Sequence, residues 1–212
     1  DLLAVPPERL SIFHQTSGTT GKPVYIPDTY ESWQWVVEVW CYILYAAGFR
    51  AQDRVFLPFA YNVYIAFWQG HYAAEKLGCE VVPGGALDTQ GRIQKMKEVK
   101  ATALMNTPTY GLHMAEVARE MGIDPKRDLT IKRMISAGEP VPEPTRLRLE
   151  ELWGAEVYDH IGGTEPGGWG GMCSEKKGMH VVEPHYLFEM VDLETMSKPI
   201  APGTKGVAVI TP

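Results

Sequence analysis

Three short stretches of the chain carry the residue types from which a phosphate or nucleotide site is built. The first is HQTSGTTGKPVYI, residues 14–26, in which Thr16, Ser17, Gly18, Thr19, Thr20, Gly21 and Lys22 precede Pro23. Its glycines let backbone N–H groups turn toward an anion, and its hydroxyls and one ammonium can wrap a mobile phosphate tail. It is not a Walker-type loop, which needs Gly, four residues, then Gly-Lys-Ser/Thr opening a helix. Thr16 stands where the first Gly should be, and Pro23 where the magnesium-binding hydroxyl should be. Pro23 also leads into the extended VYIP, so no helix amino-terminus faces the loop. Composition alone leaves a polar turn between two strands equally open.

The second stretch is DHIGGTEPGGWGG, Asp159 to Gly171. A strand ends at its start, and its glycines let the backbone approach a ligand closely. Thr164 and Glu165 then stand at the carboxyl end of a strand, where ligands of open α/β sheets bind. Glu165 suits Mg²⁺, which takes one or two protein carboxylates together with phosphate oxygens. The third stretch, SAGEP, Ser136 to Pro140, follows another strand, and Gly138 permits a flat ring to lie against the backbone. Alone, it reads as an ordinary strand-to-helix turn.

The elements that must position these stretches alternate along the chain. Asp28 with Glu31 forms a capping-box pattern, an apolar stripe runs to Ala47, and Gly48 marks a helix stop. RVFLPF reads as a buried strand, VYIAFWQGHYAAEKLG as a helix closed by Gly78, and CEVVP as a strand. The order repeats: Asp88 caps a helix to about Val99, TALMNT is extended, Pro108 to Met121 is helical, and IKRMISA is extended. Pro142 to Trp153 is a helix closed by Gly154, and AEVYDH is a strand. This alternation predicts an α/β fold with a mostly parallel sheet and flanking helices over about residues 1–177. From about 178 to 212, HYLFEMVDLETMSKPI and GVAVIT predict antiparallel strands with turns at Asp192 to Thr195 and Pro202 to Gly206.

Composition narrows the class. A chain of 212 residues that is 45% hydrophobic can bury a sizeable core. The longest apolar stretch, Trp35 to Phe49, is interrupted by Glu38 and is shorter than the roughly 20 residues a membrane span needs. No basic region followed by an apolar run and a small-residue cleavage site is present. Three widely spaced cysteines, Cys41, Cys79 and Cys173, suit a reducing cytoplasm rather than a disulfide framework. The net charge of -6 with no long basic run disfavours nucleic acid or an anionic membrane as partner.

Taken together, TSGTTGKP, SAGEP and GGTE resemble, in order and spacing, the signature of the adenylate-forming superfamily of acyl-CoA synthetases, and most closely the phenylacetate–CoA ligase family. LLAVP near the start and FAYNVYIAFWQGHYAAEKLG, similar to that family's aromatic acyl-pocket region, extend the resemblance over essentially the whole chain. It implies that ATP activates a small, aromatic carboxylic acid to an acyl-adenylate, from which coenzyme A displaces AMP. It also implies roles by position. Thr16 to Lys22 would hold the β- and γ-phosphates, Thr164 would touch the α-phosphate, and Glu165 would hold Mg²⁺, with Lys22, Thr164 and Glu165 the catalytic set. Ala137, Gly138, Glu139 and Pro140 would line the adenine, with Asp159, His160, Ile161 and Gly162 on its other side. Tyr61, Asn62, Tyr64, Ala66, Phe67 and His71 would meet the acid. An acceptor other than coenzyme A, or an inactive nucleotide-binding module, is also compatible.

The chain departs from the family pattern. Ile161 replaces the usual aromatic before Gly-x-Ser/Thr-Glu, and Ala66, Phe67 and Trp68 put bulk where relatives have small residues. The ribose-binding Arg-Thr-Gly-Asp-like motif and the small carboxy-terminal domain with its adenylation lysine are absent, so the 212 residues read as the central part of a large amino-terminal domain. Inactivity as an isolated piece is the expectation. A homodimer is left open. Cys173, His180 and His185 are zinc-ligating types, though their spacing is no recognised finger pattern. His71 reads equally as a core or a substrate-facing histidine, and the stripe Trp33, Trp35, Trp40, Tyr42, Tyr45 reads as packing.

Overall fold

A computed structural model describes residues 3–16, 21–62, 65–197 and 199–212. A short hairpin comes first, β1 (Leu10–Gln15) against β2 (Tyr25–Thr29), antiparallel. Helix α1 (Tyr30–Ala46) follows, then β3 (Arg54–Leu57), α2 (Ile65–Lys76), β4 (Glu80–Pro83), α3 (Thr89–Glu98), β5 (Ala103–Asn106) and α4 (Pro108–Glu120). After the single turn α5 (Pro125–Asp128) come β6 (Arg133–Ser136), α6 (Glu143–Trp153), β7 (Glu156–Gly163), β8 (Gly167–Gly171) and β9 (His180–Val181). A second hairpin, β10 (Leu187–Val191) against β11 (Val207–Thr211), completes the described chain.

The central sheet has seven strands in the order β4-β3-β5-β6-β7-β8-β9. Neighbouring strands from β4 to β7 are parallel, while β8 and β9 are antiparallel additions. The α/β expectation with an antiparallel carboxy-terminal segment is met. The antiparallel part, however, already begins at the glycine run Gly167–Gly171, which pairs with β7 instead of forming an open loop. Residues of a strand alternate between faces, and this alternation divides the core in two. Val55, Leu57, Met105, Ile135 and Tyr158 face α1 and α2, packing with Trp40, Ile43 and Ala73. Phe56, Leu104, Met134 and Val157 face α3, α4 and α6, packing with Met96, Met114 and Trp153.

The helix ends follow local chemistry. Asp88 caps α3, its carboxylate accepting from the Gly91 N–H at 2.7 Å. The cap of α1 is Thr29, one residue later than the Asp28–Glu31 pattern predicts. Thr29 accepts from the Ser32 N–H at 3.1 Å, and the Ser32 hydroxyl donates to Asp28 at 2.8 Å, so the two adjacent capping residues share the task. Gly48, Gly78 and Gly154 have positive φ after α1, α2 and α6, as the stop signals require.

Candidate functional site

A cleft of about 670 Å³ opens where the parallel strands β6 and β7 end. One wall is the turn Gly138, Glu139 and Pro140 after β6, and another is the end of β7, Asp159 to Thr164, with Gly167 and Gly168 of β8. The third is the first turn of α2, Ile65, Ala66 and Phe67, with Gln69 behind it; Met179 completes the lining. SAGEP and GGTE, distant in sequence, therefore share one space.

The nucleotide-motif walls are shaped mainly by backbone. Gly138 has φ +84°, a conformation that side chains strain, with the nearest atom to an added Cβ still 3.8 Å away; conformation, not crowding, requires glycine there. The Glu139 carboxylate accepts from the Thr109 N–H at 3.2 Å and its hydroxyl at 2.5 Å, in the first turn of α4 where the helix dipole favours an anion. Asp159 accepts from the His160 N–H at 2.8 Å, and burial pushes its carboxyl above the ordinary range. Gly162 and Gly163 pair with Gly168 and Gly167, and the Tyr186 hydroxyl donates to the carbonyls of Pro166 (2.5 Å) and Gly168 (3.1 Å). That single side chain ties down the hairpin whose tip carries Thr164 and Glu165.

The opposite wall is made of side chains. The strand alternation that turns Tyr158 toward α1 turns His160 the same way, and its ring stacks on Trp40 at 4.1 Å. Trp40 Nε1 donates to Gln69 Oε1 at 2.7 Å. Gln69 Nε2 and both ring nitrogens of His160 are buried without a hydrogen-bond partner among the described residues. Burial also lowers the His160 pKa to about 3, so the imidazole is neutral. Gln69 escapes sequence reasoning, although a lone amide in the apolar run IAFWQG was the available signal.

Other predicted residues are not on the lining of this cleft. Ala137 is buried, its N–H donating to the Asn106 carbonyl at 2.9 Å. Glu165 is exposed at the hairpin tip. Lys22 is exposed beside β2, and the Thr16 hydroxyl accepts from the Val24 N–H at 3.0 Å, closing the first hairpin while its own hydrogen remains able to donate. Ser17, Gly18, Thr19, Thr20 and Tyr64 lie outside the described residues. Tyr61 and His71 bond each other at 2.7 Å, with His71 Nε2 3.1 Å from Glu75. Asn62 has φ +48° and its carbonyl accepts from Trp68 Nε1 at 2.8 Å. Trp68 thus turns its bulk away from the cleft lining, while Phe67 stacks on Phe59 at 3.9 Å.

The zinc set does not assemble. Cys173 Sγ and His180 Nε2 are 3.2 Å apart, but a turn from Val182 sends His185 against Trp35 and Tyr42 on α1. Among the described residues no three His, Cys, Asp or Glu side chains gather to hold a metal ion. All three cysteines are free, and no described helix is long and apolar enough to cross a membrane.

A family profile described as AMP-binding enzyme matches residues 3–207. The chain belongs to that family. Among curated AMP-binding relatives, it is similar to the phenylacetate-coenzyme A ligases of Aromatoleum evansii, 33% identical over 99% of this chain and 48% of that protein, and of Pseudomonas putida, 32% identical over 90% and 44%. The chain thus spans about half the length of the curated relatives it matches. Among solved structures, an open conformation of 2-hydroxyisobutyryl-CoA ligase in complex with 2-HIB-AMP and CoA superposes with a TM-score of 0.89 at 26% identity, over 98% of this chain and 49% of that one.

Proposed function

We propose that the protein carrying this chain is an AMP-forming acid–CoA ligase of the cytoplasm that activates an aromatic, phenylacetate- or benzoate-like carboxylic acid. In the first step a carboxylate oxygen bonds the α-phosphorus of ATP as the bond to the β-phosphate oxygen breaks, releasing pyrophosphate. In the second the thiol of coenzyme A bonds the acyl carbon, loses its proton, and AMP departs. The observation that carries this reading is the convergence of the Gly138–Glu139–Pro140 turn and the Asp159–Thr164 strand end on one cleft. Membership of the AMP-binding family and similarity to phenylacetate–CoA ligases support it. Because the chain covers about half of those relatives, the reaction is assigned to the whole protein, and the 212-residue piece by itself is expected to be inactive.

Bringing a carboxylate to a triphosphate demands charge neutralisation and in-line positioning. In this reading Thr16, Lys22 and the loop between them meet the β- and γ-phosphates, Thr164 meets the α-phosphate, and adenine lies between the Gly138 turn and Ile161. An exposed carboxylate with no acidic cluster around it among the described residues fits Mg²⁺ that arrives with its nucleotide, since Mg²⁺ is usually held by one or two carboxylates plus phosphates. Glu165 would hold it, and when bound it offsets phosphate charge. Acid-dependent ATP–pyrophosphate exchange by the full-length protein tests these roles. Lys22→Ala and Glu165→Gln should each lower exchange by about 10²–10³-fold, the usual cost of removing a preorganised electrostatic contact. Unchanged exchange in both variants would reject the assignment.

A further inference from the structure

We infer that Thr109, in the first turn of α4, is a positioning residue for the nucleotide: it tethers the Glu139 carboxylate, so that its charge does not meet the incoming polyphosphate, and braces the turn on which adenine would lie. This rests on the nucleotide-binding reading above and deepens it. Glu139 and Asp159 are the acidic residues of the cleft lining, in a cleft that the proposed reaction fills with a polyanion. Like charges at such range repel, so each carboxyl group needs an answer. Burial gives one for Asp159 by favouring its neutral form. Glu139 is only half-buried, and its answer is Thr109: one carboxylate oxygen, Oε2, accepts from both the Thr109 N–H at 3.2 Å and the Thr109 hydroxyl at 2.5 Å. Bonded twice at the amino end of a 13-residue helix, the carboxylate has its charge partly offset where it sits.

The anchor itself is held. Thr107 caps α4, accepting from the Tyr110 N–H at 3.3 Å, and the Asn106 side-chain amide donates to the Thr107 carbonyl at 2.8 Å. Arg92 Nη1 donates to the Tyr110 hydroxyl at 2.6 Å. The same junction reaches the nucleotide turn before its glycine, where the Ala137 N–H donates to the Asn106 carbonyl at 2.9 Å and Thr107 Cγ2 is the nearest atom to a Cβ built on Gly138. The turn is thus fastened on both sides of Gly138, by Asn106 before it and by Thr109 after it. Without the second fastening, a glycine at φ +84°, the residue type with the most backbone freedom, must hold the turn alone. Thr109 is not on the cleft lining, so it acts through Glu139.

The test reads the KM for MgATP in ATP–pyrophosphate exchange by the full-length protein, with phenylacetate and with benzoate, beside the KM for the acid. The Kd for MgATP, measured by calorimetry with no acid present, should follow the same pattern. Thr109→Val keeps the shape and the N–H but loses the hydroxyl. It should raise the KM for MgATP by about fivefold or more, as the loss of one hydrogen bond to a charged group implies, with the KM for the acid within about twofold of its starting value. Thr109→Ser keeps the hydroxyl and should bring the KM for MgATP back to within about twofold. Because the freed group is a charge, the excess should shrink when salt is raised from about 0.05 to 0.5 M. For the same reason Thr109→Val should cost less than about twofold once Glu139→Gln is present, since a neutral amide needs no such tether. A Thr109→Val protein with unchanged KM for MgATP, an equal rise in both KM values, or a rise that Glu139→Gln does not reduce overturns this inference and leaves nucleotide binding standing. Absence of MgATP binding by the unsubstituted protein overturns both.

Discussion

Each end of the parallel sheet holds a buried polar cluster, and the two clusters are built differently. At the amino end, Asp53 before β3 is 3% exposed and its carboxylate is fully engaged. It accepts from the Arg50 N–H at 2.9 Å, the Thr102 hydroxyl at 2.8 Å before β5, and Arg133 Nη1 at 2.7 and 2.6 Å at the start of β6. At the carboxyl end, Gln69 and His160 line the cleft, while Gln69 Nε2 and the His160 ring nitrogens are buried behind it without partners among the described residues. The first arrangement joins strands; the second stacks His160 on Trp40 and ties Trp40 to Gln69 beside the cleft. In an open α/β sheet that division matches the rule that ligands bind beyond the carboxyl ends of strands.

The sharpest way to break the comparison is at the saturated end. Asp53→Ala removes one partner of a buried ion pair and strands Arg133, Thr102 and the Arg50 N–H, and should destabilise the full-length protein by about 3–5 kcal/mol. Chemical denaturation measures it. A loss below about 1 kcal/mol would mean that the network is not holding β3, β5 and β6 together.

At the open end, packing limits come from glycine. A Cβ at Gly168 would sit 2.5 Å from Trp40 Nε1 and 2.7 Å from His160 Nε2, inside the stacked pair. Gly168→Ala should cost about 1–3 kcal/mol through overpacking. If the α2 side meets the acid, as the proposed function has it, this change should also weaken acid use more than ATP use. Equal changes in the two KM values would place Gly168 outside the acid wall.

Much of this was legible in the sequence, and the gaps have physical causes. Asp88, Gly48, Gly78 and Gly154 announced helix ends because capping is a local interaction. Strands β3, β5 and β6 were legible as short apolar runs buried on both faces. The pairing of β7 with β8 was hidden because GGWGG has neither β-branched residues nor alternation; the contact of its bare backbone with Trp40 and His160 is what makes glycine fit. SAGEP and GGTE were visible as motifs, but their meeting in one cleft depends on the β6–β7 register. Gln69 and His160 were invisible as a pair because they join through Trp40, from a third element. His185 was misjoined to Cys173 and His180 since closeness in sequence says nothing of the turn that redirects it.

The pH dependence of stability offers a finer contrast. Burial lowers the His160 pKa from the ordinary 6.5 to about 3, so between these values the unfolded chain binds a proton that the folded chain does not. Stability is therefore present above about pH 6.5 and is lost as pH falls, by about 1.4 kcal/mol per pH unit from this group. His160→Leu should flatten the stability curve between pH 6.5 and 4 by that slope while leaving neutral-pH stability within about 1 kcal/mol. Parallel curves for the two proteins would show that the imidazole protonates freely in the folded state.

The smallest expected effect separates holding from binding within the cleft itself. Tyr186 touches no proposed ligand position; its hydroxyl reaches the carbonyls of Pro166 and Gly168, and the ring is 3% exposed against Trp35. Tyr186→Phe keeps the packing and removes only the hydroxyl, so stability should fall by about 1 kcal/mol, the usual net worth of one hydrogen bond. The carbonyls it releases belong to the hairpin carrying Thr164 and Glu165, so the tip should loosen. Exchange should then show a raised KM for MgATP, with little change for the acid, which the proposed function places on the α2 side. If the acid KM rises as much, the two walls of the cleft are one mechanical unit, and the contrast between a backbone-built nucleotide side and a side-chain-built acid side fails.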